Sequence, residues 1–216
     1  MNTKIINDLI GVTEAYQAPE KLMAILLDQE KREKLFDRFL EESRVLHSDW
    51  FHEYFQDEHA DRKEKKQDFT PNSVGELLSR LVGKGEGTNL DVAAGTGGLT
   101  IQKWNQDMMK ESPFTYKPSD HLYQCEELSD RALPFLLFNL LIRGMNATVL
   151  HGDTLTRNFK GVFFIQNEAD DFLGYSSLNV VPDSADLREM LMIKELKNIY
   201  PAHIESFEMP VHLTNK

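Results

Sequence analysis

A chain of 216 residues with a single cysteine, Cys125, cannot hold an internal disulfide. Its fold must therefore rest on a packed core, and a reducing compartment is expected. No Cys/His group has the spacing of a zinc site, so no metal is expected. Positive charge is scarce: 24 Lys and Arg against 35 Asp and Glu leave a formal net charge of −11. Such a chain has no global attraction for phosphate backbones, and contact with nucleic acid would need a local basic patch. The densest basic cluster, Asp61-Arg62-Lys63-Glu64-Lys65-Lys66, is mixed in sign and reads as a solvated segment. Long apolar runs are missing too. The longest, Ala132 to Ile142, contains Pro134 and Asn139 and is too short to span a bilayer. Met1-Asn2-Thr3-Lys4 lacks the basic region and apolar core of a signal peptide, so a cytoplasmic protein without membrane contact is expected. Neither Gly-x-x-x-x-Gly-Lys-Ser/Thr nor Gly-x-Gly-x-x-Gly occurs, which argues against a P-loop and a dinucleotide fingerprint.

What is present is globular: 41% hydrophobic and 27% charged residues, with no internal repeat. Residues 1–66 read as a polar helical region. Leu35, Phe36, Phe39, Leu40, Val45, Leu46, Trp50, Phe51 and Phe55 recur at three- and four-residue steps. That spacing predicts an amphipathic helix with one aromatic stripe. Core packing is the plain reading of the stripe, and a protein partner docking through residues 30–60 is the sharper one.

Residues 67–182 change character. Thr70-Pro71 resembles a helix start, and Val74, Leu77, Leu78, Leu81 and Val82 give one apolar face. Four strands are expected, at Leu90–Ala93, His121–Cys125, Ala147–Leu150 and Gly161–Gln166, separated by helices at Leu99–Met109 and Ser129–Ile142. This alternation predicts an α/β domain built of βαβ units on a parallel sheet. Ligands in such sheets sit at the carboxyl ends of the strands. Asp91, Glu126, Asp153 and Asn167 all fall at predicted strand ends, so one crevice is expected to hold all four. Residues 183–216 read as a helix, starting near Ser184 or Asp186, and a tail.

The first strand runs into Asp91-Val92-Ala93-Ala94-Gly95-Thr96-Gly97-Gly98, a small-residue turn that opens a helix. An acidic residue beside that turn would repel a pyrophosphate. It suits a ligand that carries a cationic amino-acid moiety, and S-adenosylmethionine is such a ligand. Glu126 offers two acceptor oxygens to vicinal ribose hydroxyls. Asp153 can accept from the adenine amino group. Solvated strand-end acids are the plain alternative for each residue taken alone.

Taken together, Phe69-Thr70-Pro71 with Val74, the Asp91–Gly98 turn, Glu126, Asn139-Leu140 with Gly144, and Gly152-Asp153-Thr154-Leu155 resemble the N6-adenine DNA methyltransferase family. The nearest flavour is the modification subunit of type I restriction systems and short phage or mobile-element relatives. The resemblance spans about residues 66–167. It implies a Rossmann-like class I S-adenosylmethionine-dependent methyltransferase fold, truncated on its C-terminal side and preceded by the helical region. It also implies cofactor binding by Phe69, Thr70, Pro71, Asp91, Ala93, Ala94, Gly95, Thr96, Gly97, Glu126, Asp153 and Thr154. DNA, or a DNA-binding partner subunit, is the implied partner.

That family ends its fourth strand in Asn/Asp/Ser-Pro-Pro-Tyr/Phe, which holds a base flipped out of the duplex. Here Asn167 occupies the first position, and Glu168-Ala169-Asp170 replace the rest. Asn167 is thus the catalytic candidate, with Tyr175 or Phe172 as the stacking residue. Only 49 residues follow Asn167, too few for the family's remaining strands and target-recognition region. Three readings stay open: a cofactor-binding relative without the chemistry, a small adenine methyltransferase completed by a partner subunit, and a regulatory protein acting through its helical region.

Overall fold

The computed structural model describes residues 1–58, 89–110 and 115–206. The expected Phe69–Pro71 site, the basic cluster at 61–66 and the apolar helix face at 74–82 lie outside them. Four helices come first: α1 (Thr3–Ile10), α2 (Ala18–Leu26), α3 (Gln29–Glu42) and α4 (His52–Glu58). Local chemistry sets their ends. Asn2 Oδ1 accepts the Ile5 N–H at the start of α1, and Gly11 closes that helix at φ +81°. Asp28 caps α3 by accepting the Lys31 N–H. The single long helix expected across residues 35–55 is instead two. Ser43 is extended, and Asp49 Oδ1 accepts the Phe51 N–H to turn the chain before α4. The aromatic stripe survives the break, because Leu35, Phe36, Phe39, Trp50, Phe51 and Phe55 are all buried.

The α/β part follows as β1 (Asn89–Val92), α5 (Gly98–Lys110), β2 (Leu122–Glu127), α6 (Leu133–Ile142), β3 (Asn146–Asp153), β4 (Asn158–Gln166), β5 (Ser177–Val180), α7 (Ala185–Met190) and β6 (Glu195–Leu196). Ser184 caps α7 as expected, but the helix stops at Met190. Every residue of α6 is buried, so it is a core helix with no polar face. Phe138, on α6, meets the rings of Phe36, Phe39 and Phe51 at 4.9, 4.7 and 5.1 Å between centroids. One continuous apolar core thus joins α1–α4, α6 and one face of the sheet. A smaller cluster of Leu150, Phe159, Val162, Leu187, Leu191, Ile193 and Leu196 packs separately. The buried pair Arg32–Glu205, two bonds of 2.6 Å, clamps the segment after β6 to α3. Among the described residues no helix is long and apolar enough to cross a membrane.

Among the described residues the sheet runs β1-β2-β3-β4-β5, with β6 beside β4. β1, β2 and β3 are parallel, as expected. β4 is not: it runs antiparallel to β3, and β5 antiparallel to β4. The reason is length. Only Thr154–Arg157 separate β3 from β4, whereas a parallel crossover needs a dozen residues or more. Gly152 (φ +154°) permits the close approach, because a Cβ there would lie 2.4 Å from the Asn158 carbonyl oxygen.

Phe138→Ala should lower the stability by about 3–5 kcal/mol, the usual cost of emptying a buried phenylalanine site. Urea unfolding followed by tryptophan fluorescence and by far-ultraviolet circular dichroism should report one coincident transition, since the helices and the sheet share a core.

Candidate functional site

The carboxyl ends of β1, β2 and β3 converge on one edge of the sheet, and the small-residue turn after β1 lies there. Three of its residues, Ala93, Gly95 and Gly97, have positive φ values of 63°, 60° and 95°. At Gly97 a Cβ would come within 2.9 Å of Leu136 Cδ1, so α6 supports the turn from below. The Ala94 N–H donates to the Glu126 carbonyl at 3.0 Å, which ties the turn to β2. The Gly95 N–H donates to Glu127 Oε2 at 2.6 Å, while Glu127 Oε1 accepts the Ser129 N–H at 2.7 Å. Glu127 therefore shapes the turn from the side.

A buried polar network holds the turn from behind. The Thr96 hydroxyl donates to Asp49 Oδ2. Asn139 Nδ2 donates to the Thr96 carbonyl at 2.8 Å and to Asp49 Oδ1 at 2.9 Å. Arg143 Nη1 donates to both oxygens of Asn139, and its Nε and Nη2 donate to the Leu46 and Ser48 carbonyls. Burial lowers the Arg143 pKa to about 10, partly opposed by the charge of Asp49, so the group remains a cation at neutral pH. The loop before α4 thus reaches into the site through one carboxylate.

Three strand-end acids reach this edge with different surroundings. Asp91 accepts the Thr100 hydroxyl at 2.8 Å. Burial raises its pKa, the Thr100 bond lowers it, and the nearby Glu127 raises it further. Burial likewise pushes up the Cys125 thiol, which is therefore a packing group. The Glu126 side chain is 1% exposed. It accepts the Thr154 hydroxyl at 2.6 Å, Arg157 Nη1 at 2.8 and 2.7 Å, and Gln124 Nε2 at 3.1 Å. Asp153 caps the β3–β4 turn by accepting the Leu155 and Thr156 N–H groups at 2.9 and 3.3 Å. Hydrogen bonding from Thr156 and from the Leu155 backbone holds its carboxyl below the usual range.

The structure thus brings together Asp91, Ala93, Ala94, Gly95, Thr96, Gly97, Glu126, Asp153 and Thr154. Asn167 does not join them. Because β4 is antiparallel, its carboxyl end lies beside Asn146, at the start of β3 and roughly 20 Å from Asp153 at the usual strand rise. There the Asn167 side chain donates to the Gly144 and Asp171 carbonyls and accepts the Asp171 N–H, and its own N–H donates to Asn146 Oδ1. Tyr175 packs against Phe36 and donates its hydroxyl to Asp37, far from the strand-end acids in the chain's topology. Sequence reasoning assigned no role to Asp49, Thr100, Glu127 or Arg157. Glu127 was visible as the second of two adjacent strand-end acids. The other three gave no local signal, since their roles depend on partners up to 90 residues away.

Ligands of open α/β sheets bind in the crevice outside the carboxyl ends of the strands, which is where the small-residue turn and these carboxylates lie. A family model, N-6 DNA Methylase, matches residues 46–171, more than half of the chain. The chain belongs to that family. The match begins just before Asp49 and runs past Asn167. Searches of the curated proteins and of the solved structures return no match.

A further buried titratable group sits at this edge. His151 pairs with Gly161 across the β3–β4 hairpin. Its Nδ1 lies 2.5 Å from the Tyr200 hydroxyl, and its Nε2 lies 3.3 Å from Asp130 Oδ1. Burial depresses its pKa from 6.5 to about 4, with Lys160 adding to the shift and Asp130 opposing it. The folded protein keeps this imidazole neutral, while the unfolded chain takes up the proton near pH 6.5. The His151 contribution is therefore intact above pH 6.5 and is lost as the pH falls towards 4, by at most ~3 kcal/mol. His151→Gln retains an acceptor for Tyr200, and it should flatten the decline of the urea midpoint between pH 6.5 and 4.

Proposed function

We propose that this chain binds S-adenosylmethionine at the carboxyl edge of β1–β3, and that Asn167 does not carry methyl transfer. The observation behind the first half is the convergence of the glycine turn, Asp91 and Glu126 at one end of three parallel strands. The donor set suits the cofactor. Its ammonium and sulfonium cations favour an edge bearing Asp91, Glu126 and Glu127, and a small-residue turn lets a ligand approach the backbone closely. Glu126 and Thr154 would hold the ribose, and Ala93 to Gly97 would line the methionine part. When bound, the cofactor supplies an electrophilic methyl group. The β1–α5–β2–α6–β3 unit is what supports a Rossmann-like reading of the domain.

The second half rests on the distance and the bonding of Asn167. Its amide is engaged by Gly144 and Asp171 at the opposite edge of the sheet. A flipped base held by Asn167 would lie a strand's length from the carboxyl edge. A second reading is an active DNA methyltransferase completed by a partner subunit. It draws on β1, which ends the sheet among the described residues and leaves Leu90 59% and Val92 50% exposed.

Calorimetry on the full chain should show saturable S-adenosylmethionine binding, weakened at least tenfold by Asp91→Ala or Glu126→Ala. No binding to the intact protein would overturn the cofactor assignment. A labelled-methyl assay on mixed-sequence DNA should show no incorporation that depends on Asn167, with Asn167→Ala as the control. Robust incorporation lost in that variant would overturn the second half.

A further inference from the structure

The Glu126 carboxylate has about four acceptor positions, and all four are in use. Thr154 takes one, Gln124 takes another, and Arg157 Nη1 bridges both oxygens. A ligand that offers two vicinal hydroxyls to this carboxylate must displace a donor that is already there. The three occupants differ in what holds them. Gln124 and Glu126 lie two residues apart on β2, and Thr154 sits at the first position of the β3–β4 turn. Arg157 reaches in from the last position of that turn, and its side chain is 25% exposed, so it has a path outwards. Its backbone is held at φ +58°, a conformation that L side chains adopt rarely.

The rest of the Arg157 guanidinium is anchored elsewhere. Nε donates to the Met192 carbonyl at 3.1 Å, and Nη2 donates to the Leu191 carbonyl at 2.6 Å. The group also stacks 4.9 Å over the Phe159 ring. One side chain therefore connects the buried carboxylate of β2 to the turn that follows α7. In the folded chain this serves a clear electrostatic end. A carboxylate as buried as Glu126 costs several kcal/mol if left unpaired, and Arg157 supplies the counter-charge.

Resting on the cofactor reading above, we propose that Arg157 is a latch on the binding site: its guanidinium holds Glu126 in the free protein and swings out when the vicinal diol of a nucleoside cofactor takes its place. Cofactor binding and the bonds from Arg157 to Leu191 and Met192 are then mutually exclusive. Occupancy of the site is transmitted to the segment after α7, where Met190 and Met192 are exposed. The latch also makes wild-type affinity lower than the site's own capacity, because each binding event must first break the pair.

The test uses S-adenosylmethionine and the full-length chain. Arg157→Met removes the guanidinium and keeps an apolar stem against Phe159. It should bind at least tenfold more tightly than wild type by calorimetry, while a further Glu126→Ala change should abolish the gain. A second readout needs no loss-of-charge variant. The Arg157 Nε–H resonance, assigned by its absence in Arg157→Lys, should be protected from exchange in the free protein and lose that protection at saturating cofactor. Equal affinities for wild type and Arg157→Met would overturn the latch and leave the cofactor assignment standing, as would an Arg157 Nε–H signal unchanged at saturation. No binding by either protein would overturn the cofactor assignment, and the latch with it.

Discussion

Four residues, Thr154–Arg157, join β3 to β4, and a connection that short can close only a hairpin. Much of the molecule follows from this constraint. It reverses β4 relative to the three parallel strands and carries the carboxyl end of β4 to the far edge of the sheet. Asn167 is thereby separated from the acids at the ends of β1, β2 and β3. The same turn delivers Thr154 and Arg157 onto Glu126. A single local geometry thus takes one polar group away from the site and brings two others into it.

The helical region and the sheet meet through an equally specific contact. Asp49 is the hinge of this contact, receiving Thr96 from the glycine turn and Asn139 from α6. Arg143 then secures Asn139 and the backbone at Leu46 and Ser48. Such a network is costly to bury unless each member is satisfied, and here every polar atom of the Arg143 head has a carbonyl or amide partner. The family match starts at residue 46, where this network begins. The loop before α4 therefore belongs in space to the carboxyl edge of the parallel strands, although it is distant from their ends in sequence.

Every one of the four acids at the carboxyl ends of β1, β2 and β3 already has a partner within the chain. Thr100 bonds Asp91, Arg157 bonds Glu126, Gly95 bonds Glu127, and the turn amides bond Asp153. These bonds offset the repulsion of carboxylates gathered in one place and stabilise the turn before any ligand arrives. They also rank the acids. Asp153 is tied up by its own turn, and Glu127 by the backbone it shapes. Glu126 is paired with a side chain that is itself a quarter exposed, Arg157.

Much of the architecture was legible in the sequence. The apolar runs marked the strands, Ser184 marked a helix start, and the stripe from Leu35 to Phe55 marked a buried face. The juxtaposition of the glycine turn and Glu126 at one sheet edge was legible because strand-end position follows from local pattern. The direction of β4 was not read correctly, although its cause was present: too few residues separate Asp153 from the next apolar run. The break between α3 and α4 was missed because periodicity continues across an irregular loop. Taken alone, the sequence determined the family, the parallel β1–β3 unit and its acidic turn, since each is written in neighbouring residues. Only the tertiary structure decided which partner each acid takes: a helix hydroxyl for Asp91, an arginine for Glu126, and backbone amides for Glu127 and Asp153. Those outcomes depend on Asp49, Arg157 and other groups that are distant in the chain and become neighbours of the turn only when the core has closed.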